Sequence, residues 1–295
     1  MFLPRTDLAL EAAAFSGSDG EKKLSGVSSD TYSDGDITVT KVVIENEEGE
    51  RLIGKPRGNY VTVECRSLRE ERADYDERVK NAFTRELEEI LKPHNPKTIL
   101  VVGLGNRFVT PDSLGPRVSD EITVVKDRLL SISPGVLGIT GIQTESIVEG
   151  ISEKTKPDAV IAIDALASRS MHRICTTIQI ADTGITPGGG VGNTQKALNE
   201  ATLGVPVIAV GVPTVVDAST LAHDAVSHML TAVDKDGEYS DSEEKRYNMI
   251  KEILDPYFGQ LIVTPSQIDC VITKVASIIA DAINSLGHKA DKKII

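Results

Sequence analysis

The sequence predicts a doubly wound α/β protein with a mostly parallel sheet and a small antiparallel β attachment on its N-terminal side. Short, wholly apolar runs at residues 98–103 and 159–163 are typical of strands buried on both faces of a parallel sheet. Longer amphipathic stretches separate such runs, as in βαβ units. Residues 37–45 and 60–65 are alternating, β-prone stretches, which indicates antiparallel strands.

The elements follow one another in the order that this fold requires. Residues 1–35 are rich in Ser, Gly, Asp and Ala and predict a mobile leader, and the two antiparallel strands are separated by a turn at 48–50. A charged amphipathic helix is predicted over 70–91, ahead of two prolines. The alternating part then comprises strands at 98–103, 135–142, 159–163, 176–181 and 206–210 and helices at 113–130, 144–155, 216–233 and 265–286. The predicted division is a leader (1–7), a mobile N-terminal segment (8–35) and one α/β domain (36–295).

Composition excludes several classes of protein. The 295 residues are 40% hydrophobic and 26% charged, as in ordinary globular proteins. No apolar run reaches about 18 residues and the N-terminus lacks a basic flank, so we expect neither a membrane span nor a secretory signal. The net charge of −12 argues against direct binding to nucleic acid. The three cysteines, an odd number without a C-x-x-C pair, predict no disulfide framework and favour the cytoplasm.

Two aspartates follow strands that we expect to be neighbours. Asp112 lies in the loop after 98–103, and Asp164 directly follows 159–163. If the strand order begins 2-1-3, both loops open into one crevice at the carboxyl edge of the sheet. Two carboxylates in a small volume do not both ionise cheaply, so one keeps its proton. Such a pair can take a proton from water and donate one to a carbonyl oxygen or a leaving amine, as amide hydrolysis requires.

Structural roles compete with this interpretation. Asp112 has the residue type and position of an N-cap for the helix that follows it. Asp164 is harder to explain structurally, because a carboxylate that closes an apolar strand needs a partner or a function.

Other signals in the sequence are weaker. Gly-Leu-Gly at 103–105 resembles the start of a dinucleotide fingerprint, but the third glycine is missing. The glycine-rich loop at 187–193 is typical of a flexible turn. The serines Ser113, Ser168 and Ser170 lie in no G-x-S-x-G motif. The five histidines form no H-E-x-x-H motif, and only His172 follows Asp164 closely, so no metal is predicted.

Four stretches resemble the germination proteases of spore-forming bacteria, and the likeness spans nearly the whole chain. They are GLGNRFVTPDSLGP at 103–116, IAIDALASR at 161–169, ADTGITPGGGVGN at 181–193 and IAVGVPTVVDA at 208–218. In the leader, RTDLALEA at 5–12 resembles the processing site of the same family.

The resemblance implies an aspartic endopeptidase that starts the degradation of small, acid-soluble spore proteins during germination. It implies a fold like that of the hydrogenase maturation peptidases, and the family's two catalytic aspartates fall on Asp112 and Asp164. It also implies a homotetramer in the cytoplasm of the forespore and in the spore core. Cofactors, direct contact with nucleic acid and membrane attachment are not expected.

The resemblance further implies a zymogen that removes its own leader, with cleavage after an acidic residue that is followed by a second glutamate. Residues 6–11 have that form, so we predict self-cleavage between Asp7 and Leu8. Arg107, Arg117 and Arg169 are alternative partners for substrate carboxylates. Two other functions stay open: a non-proteolytic α/β protein that binds a small anionic ligand in the same crevice, and a metal-assisted peptidase.

Overall fold

A single mixed sheet organises the protein. The structure, a computed structural model, describes residues 6–16, 25–70, 73–187, 196–233, 243–258 and 261–289. Within these ranges the strands are Val27–Asp34 (β1), Ile37–Ile44 (β2), Gly58–Cys65 (β3), Ile99–Gly103 (β4), Leu129–Ile132 (β5), Ala159–Ser168 (β6), Thr177–Ala181 (β7), Val207–Asp217 (β8) and Ile262–Val263 (β9). Their order is β1-β2-β3-β7-β8-β6-β4-β5, with β9 paired to β8.

The strands β5, β4, β6 and β8 form the parallel part of the sheet. The order β5-β4-β6 is the 2-1-3 order on which the expectation of a shared crevice depended. It places the end of β4 beside the middle of β6, since Gly103 lies opposite Ile163. The loop after β4 and the second half of β6 therefore share one edge of the sheet.

The antiparallel strands at the N-terminal side belong to the same sheet. The strands β1, β2 and β3 pair antiparallel in sequence, and β3 then pairs with β7, with Tyr60 opposite Ala181. Because β7 pairs with β8, the predicted β attachment is continuous with the parallel strands.

Helices cover both faces of the sheet. They are Ala9–Ser16 (α1), Glu47–Ile53 (α2), Ala73–Leu91 (α3), Leu114–Glu121 (α4), Leu137–Thr140 (α5), Thr144–Thr155 (α6), Glu200–Leu203 (α7), Ala218–Val233 (α8), Glu243–Phe258 (α9) and Ile268–Lys289 (α10). Val101 of β4 belongs to the core that α3, α4 and α10 bury, whereas its neighbour Val102 belongs to the core beneath α6. Successive strand residues point to opposite faces, so this alternation confirms the doubly wound α/β class.

Two predicted elements between β4 and β6 are wrong. The helix expected over 113–130 ends at Glu121, and residues 135–142 contain α5 where a strand was expected; the strand is Leu129–Ile132. The residues after Glu121 are a β-branched run, 122–125, which has low helix propensity.

Residues 48–50 also differ from expectation, since they lie in α2 and not in a turn. The Asn46 side chain accepts hydrogen bonds from the backbone N–H groups of Glu48 and Gly49 and so caps the helix. Gly54, in the left-handed conformation, ends it.

The segment expected to be a mobile leader contributes two elements. Strand β1 pairs along its length with β2, and α1 packs on the sheet with Leu8, Ala9 and Ala12 buried. The few apolar residues in this Ser-, Gly- and Asp-rich segment did not predict these elements. Their burial depends on contact with the sheet, which the local sequence does not show. Residues 1–5 and 17–24 of the predicted leader lie outside the described residues.

Helix α10 is apolar because it is a core helix. Its residues Ile268–Gly287 are long and apolar enough to cross a membrane by length and composition alone, but half of that stretch is buried. Residues such as Ile272, Val275 and Ile279 pack into the same core as α3 and α4.

Gly115 sets how closely α4 approaches the sheet, and its substitution is the first prediction. A Cβ on Gly115 would lie 2.3 Å from the Leu104 carbonyl oxygen and 2.5 Å from that of Ile163. We expect Gly115→Ala to lower the free energy of unfolding by about 1–3 kcal/mol, measured by thermal or urea denaturation followed by circular dichroism. The control is Gly150→Ala on an exposed turn of α6, where a Cβ meets nothing within 4 Å, and a gain of about 0.5–1 kcal/mol is expected. Equal stability of the two variants would contradict this account of the packing.

Candidate functional site

Both predicted aspartates lie at the carboxyl edge of the parallel sheet. Asp164 is a residue of β6 and is 5% exposed. Asp112 is half-buried and ends the 3-10 turn Thr110–Asp112 between β4 and α4. Both residues line one cavity of about 510 Å³. The structure thus brings these two residues to a common cavity, as the strand order required.

A tight loop after β4 holds Asp112 in place. Gly105 has a φ of +109°, and a Cβ there would lie 2.1 Å from the Asp112 carbonyl oxygen. The backbone N–H of Asn106 donates a hydrogen bond of 2.8 Å to Asp112 Oδ2. The N-cap of α4 is Ser113. Asp112 is therefore not the cap of this helix, and its carboxylate instead closes the loop.

Burial favours the protonated form of Asp112. Desolvation raises the pKa of its carboxyl group above the ordinary value, and the hydrogen bond from Asn106 works in the opposite direction but is the smaller effect. A carboxyl group in this state holds a proton to higher pH than one in solvent, as a general acid must.

Asp164 lies where two cavities meet. The backbone N–H of Ala165 donates a hydrogen bond of 2.9 Å to Asp164 Oδ1. Asp164, Ala165 and Leu166 line the cavity that contains Asp112, and they also line a second cavity of about 460 Å³. Thr6 and Asp7 of the N-terminal segment line this second cavity.

The N-terminal segment is bound beside the second half of β6 by one backbone and several side-chain hydrogen bonds. Asp7 N–H donates to the Ala167 carbonyl oxygen at 2.9 Å, and Ala167 N–H donates to Asp7 Oδ2 at 2.8 Å. The side-chain amide of Gln179 on β7 binds the peptide groups on both sides of Leu8: Nε2 donates to the Asp7 carbonyl oxygen at 3.1 Å, and Oε1 accepts from Ala9 N–H at 2.7 Å. These contacts hold the Asp7–Leu8 bond in the region that Asp164 borders.

A lysine faces the acidic residues of this segment. Lys55, just after α2, lines the second cavity and is half-buried. Desolvation lowers the pKa of its ammonium group, and the nearby carboxylates of Asp7 and Glu11 oppose that shift. Lys55 is therefore the basic side chain that these two carboxylates influence at the second cavity.

The three serines considered as nucleophiles have structural roles. Ser113 Oγ donates to the Thr110 carbonyl oxygen, Ser168 Oγ donates to that of Ser170, and Ser170 Oγ accepts from the backbone N–H of His172. Neither Ser113 nor Ser168 is more than 1% exposed.

The remaining weak candidates were His172, a metal site and the glycine-rich loop at 187–193. His172 is exposed and lines neither cavity. Over the described ranges, no three His, Cys, Asp or Glu side chains converge in a way that could hold a metal ion. The glycine-rich loop is described only at Pro187, which lines the first cavity; residues 188–193 lie outside the described residues.

Of the three arginines proposed to meet substrate carboxylates, only one reaches the N-terminal segment. Arg107 pairs with Asp120, whereas Arg117 donates hydrogen bonds to the hydroxyl groups of Ser113 and Thr273. The Arg169 side chain pairs with Asp224 at 3.1 Å, while its backbone N–H donates to a carboxylate of the N-terminal segment.

Sequence reasoning missed three residues that contact or face the N-terminal segment: Lys55, Gln179 and Arg173. Lys55 follows a helix that was not predicted, and Gln179 lies within an otherwise apolar strand, so its polarity was the one available signal. Arg173 lies in a 3-10 turn after β6, and no spacing in the sequence relates it to the leader.

The fold and the site define an α/β protein with two carboxyl groups in a cavity at the carboxyl edge of its sheet and a peptide segment bound beside them. Comparisons with known proteins give the family. The germination protease profile matches residues 5–246. Germination proteases from Clostridium tetani and Bacillus velezensis are 43% and 38% identical to this chain, covering 95% and 98% of it and 94% of each relative. The chain belongs to the germination protease family and is a peptidase.

A solved structure gives a weaker match. The NiFe hydrogenase maturation protease from Thermococcus kodakarensis aligns with a TM-score of 0.39 and 17% identity, covering 67% of this chain and 98% of that one.

The raised pKa of Asp112 predicts a pH-dependent cost to stability. A carboxyl group whose pKa is higher in the folded state binds more protons there than in the unfolded state, so stability falls as pH rises from the ordinary aspartate range through the raised pKa. Asp112→Asn removes the ionisation while keeping an oxygen for Asn106 N–H. We expect its stability relative to the unsubstituted chain to be greater at pH 7 than at pH 3.5, measured by urea denaturation. A difference that shrinks as pH rises would contradict a raised pKa.

Proposed function

We propose that this protein is an endopeptidase that starts the degradation of small, acid-soluble spore proteins during germination and that it is made as a self-processing zymogen. Two lines of support meet here. The chain belongs to a family whose members are named germination protease. Thr6 and Asp7 of its own N-terminal segment line a cavity that Asp164 also lines. The second observation carries the proposal, because it puts the residue before the predicted cut beside Asp164, which also shares a cavity with Asp112.

The proposed reaction is hydrolysis by a water molecule activated between Asp112 and Asp164. Asp164, ionised, accepts a proton from the water as its oxygen attacks the carbonyl carbon of the cleaved bond. Asp112, whose neutral form is favoured by burial, donates a hydrogen bond and then its proton to the carbonyl oxygen. Asp164 returns its proton to the leaving amine when the carbon–nitrogen bond breaks, and Asp112 regains its proton as the new carboxyl group forms.

The N-terminal segment serves in this proposal as both the first substrate and the block to other substrates. Asp7 and Gln179 hold it through the contacts described above, and Leu8 is fully buried. Cleavage between Asp7 and Leu8 releases residues 1–7 and frees the part of the second cavity that Thr6 and Asp7 line.

The remaining parts of the proposal concern the setting. Spore proteins are the substrates, without direct binding to nucleic acid, in keeping with a net charge of −12. The active form is a homotetramer without a cofactor, and it acts in the cytoplasm of the forespore and the spore core.

Substituting either aspartate tests this proposal. We expect Asp112→Asn and Asp164→Asn each to slow removal of residues 1–7 by at least about 100-fold at mildly acidic pH, because each removes an acid or base group from the reaction. The measurement is intact mass of the full-length chain over time, with circular dichroism to establish that each variant is folded. The matched control is Asp158→Asn, because Asp158 precedes the other end of β6 and accepts backbone hydrogen bonds from Lys97 and Thr98. Its processing should match that of the unsubstituted chain.

The alternatives give different results. A protein that only binds a small anionic ligand would keep residues 1–7 in every variant, including the unsubstituted chain. A metal-assisted peptidase would process its leader until a chelator is added. Full processing by a folded Asp164→Asn variant would refute the aspartate mechanism.

A further inference from the structure

The N-terminal segment carries a second acidic residue, Glu11, that is almost completely buried. Its side chain is 7% exposed. A carboxylate removed from water is costly unless other groups replace the lost hydrogen bonds. The surroundings of Glu11 supply these groups, so the site is built for a carboxylate.

Three donors come from the stretch that follows β6, which we name the carboxylate cradle: the backbone N–H groups of Arg169 and Ser170 and the side chain of Arg173. Arg169 N–H donates to Glu11 Oε2 at 2.7 Å, and Ser170 N–H donates to Oε1 at 3.1 Å. Arg173 Nε lies 3.2 Å from Oε1. The Thr6 hydroxyl also donates to Oε2, from within the segment itself. Both carboxylate oxygens therefore have charged or backbone donors.

Other contacts fix the cradle independently of Glu11. Arg173 Nη1 donates to Glu64 Oε2 of β3 at 2.8 Å, which orients the guanidinium group from its other side. Arg69 donates to the carbonyl oxygens of Met171 and Ile174, on either side of Arg173. Donors that are already fixed lose little conformational entropy when a carboxylate binds, so they suit the binding of one substrate carboxylate after another.

The carboxylate cradle begins two residues after the residue that binds Asp7. The Asp7 carboxylate accepts from Ala167 N–H, and the Glu11 carboxylate accepts from Arg169 N–H two residues further along. One continuous stretch of backbone thus binds two carboxylates that are four residues apart in the bound segment. A peptide with a single acidic residue would leave one of these sets of donors without its anion.

We propose that the carboxylate cradle is the subsite that recognises the second acidic residue of substrates and that Arg173 is its specificity-determining residue. The inference rests on the proposed endopeptidase function and says which residues determine its substrate specificity. The resemblance to the germination proteases already implies a second glutamate in substrates, and the inference adds the groups that bind it. Cleavage after Asp7 leaves Glu11 attached to the chain, so residues 8–16 must leave the cradle before a substrate enters it.

The test compares two peptides as substrates of chains that begin at Leu8, the product of the proposed cut. One peptide has the sequence of residues 1–16, and the other has Gln in place of Glu11. We expect the unsubstituted enzyme to prefer the first peptide by about tenfold or more in kcat/KM, since a hydrogen-bonded ion pair is lost with the second. Arg173→Gln should bring the ratio close to one, mainly by slowing the first peptide. Arg173→Lys, which keeps the charge but not the planar group, should give an intermediate ratio.

The ratio of kcat/KM for the two peptides reports on recognition of the second acidic residue. It does not change with the fraction of folded enzyme or with competition from the enzyme's own residues 8–16. Residues 8–16 of the enzyme compete equally with both peptides, so they leave the ratio unchanged. The control is Arg66→Gln, because Arg66 is 83% exposed and lies 3.9 Å from the same Glu64 without contacting Glu11. This variant should keep the full preference.

The outcomes distinguish the inference from the function on which it rests. If the unsubstituted enzyme cleaves neither peptide, the proposed function fails and the inference with it. If it cleaves both equally, or if folded Arg173→Gln and Arg173→Lys keep the tenfold preference, the endopeptidase stands and the cradle is not the subsite. An equal loss of preference in Arg66→Gln would also overturn the role of Arg173.

Discussion

The backbone of β6 beyond the end of β4 is the constraint on which the site depends. Strand β4 stops at Gly103, opposite Ile163, whereas β6 runs on to Ser168. Buried backbone N–H and C=O groups need hydrogen-bond partners, and within the described part of the chain no strand pairs with β6 on this side beyond Ile163. The Ile163 carbonyl oxygen accepts from Leu104 N–H, Ala165 N–H donates to Asp164, and Ala167 binds Asp7 through both of its groups. An aspartate side chain and a peptide segment thus complete a strand that the sheet leaves incomplete.

The need to satisfy the backbone groups of β6 beyond Ile163 explains why Asp164 and a bound peptide segment occur side by side. An exposed strand edge binds an extended peptide through backbone hydrogen bonds that do not depend on most of its side chains. Selectivity for particular peptide sequences must then come from the few peptide side chains that contact dedicated donors, which here are the carboxylates of Asp7 and Glu11. In a chain with a net charge of −12, donors for two carboxylates have to be concentrated locally, and backbone N–H groups together with Arg173 provide that concentration.

Close packing of α4 brings the other candidate group to the same cavity. Gly103 and Gly115 face each other, and a Cβ on Gly103 would lie 2.1 Å from the Gly115 carbonyl oxygen. Side chains at either position would push the helix and the turn before it away from β6. Gly105 lets the loop fold back so that Asn106 binds Asp112. The glycines that resemble a nucleotide fingerprint therefore have a packing function, which places Asp112 beside β6.

The sequence by itself determined β4, the first half of β6 and the two aspartates that follow them, because a wholly apolar run is the local mark of a strand buried on both faces. Hydrophobic periodicity also predicted α3 and α10 closely. Only the tertiary structure decided that residues 129–132 are the edge strand, that residues 9–16 pack on the sheet and that Arg173 meets Glu11. Short or polar segments such as these carry little hydrophobic periodicity from which a strand, a helix or a contact could be predicted. Their conformation depends on hydrogen bonds and surfaces from distant parts of the chain, which no local pattern encodes.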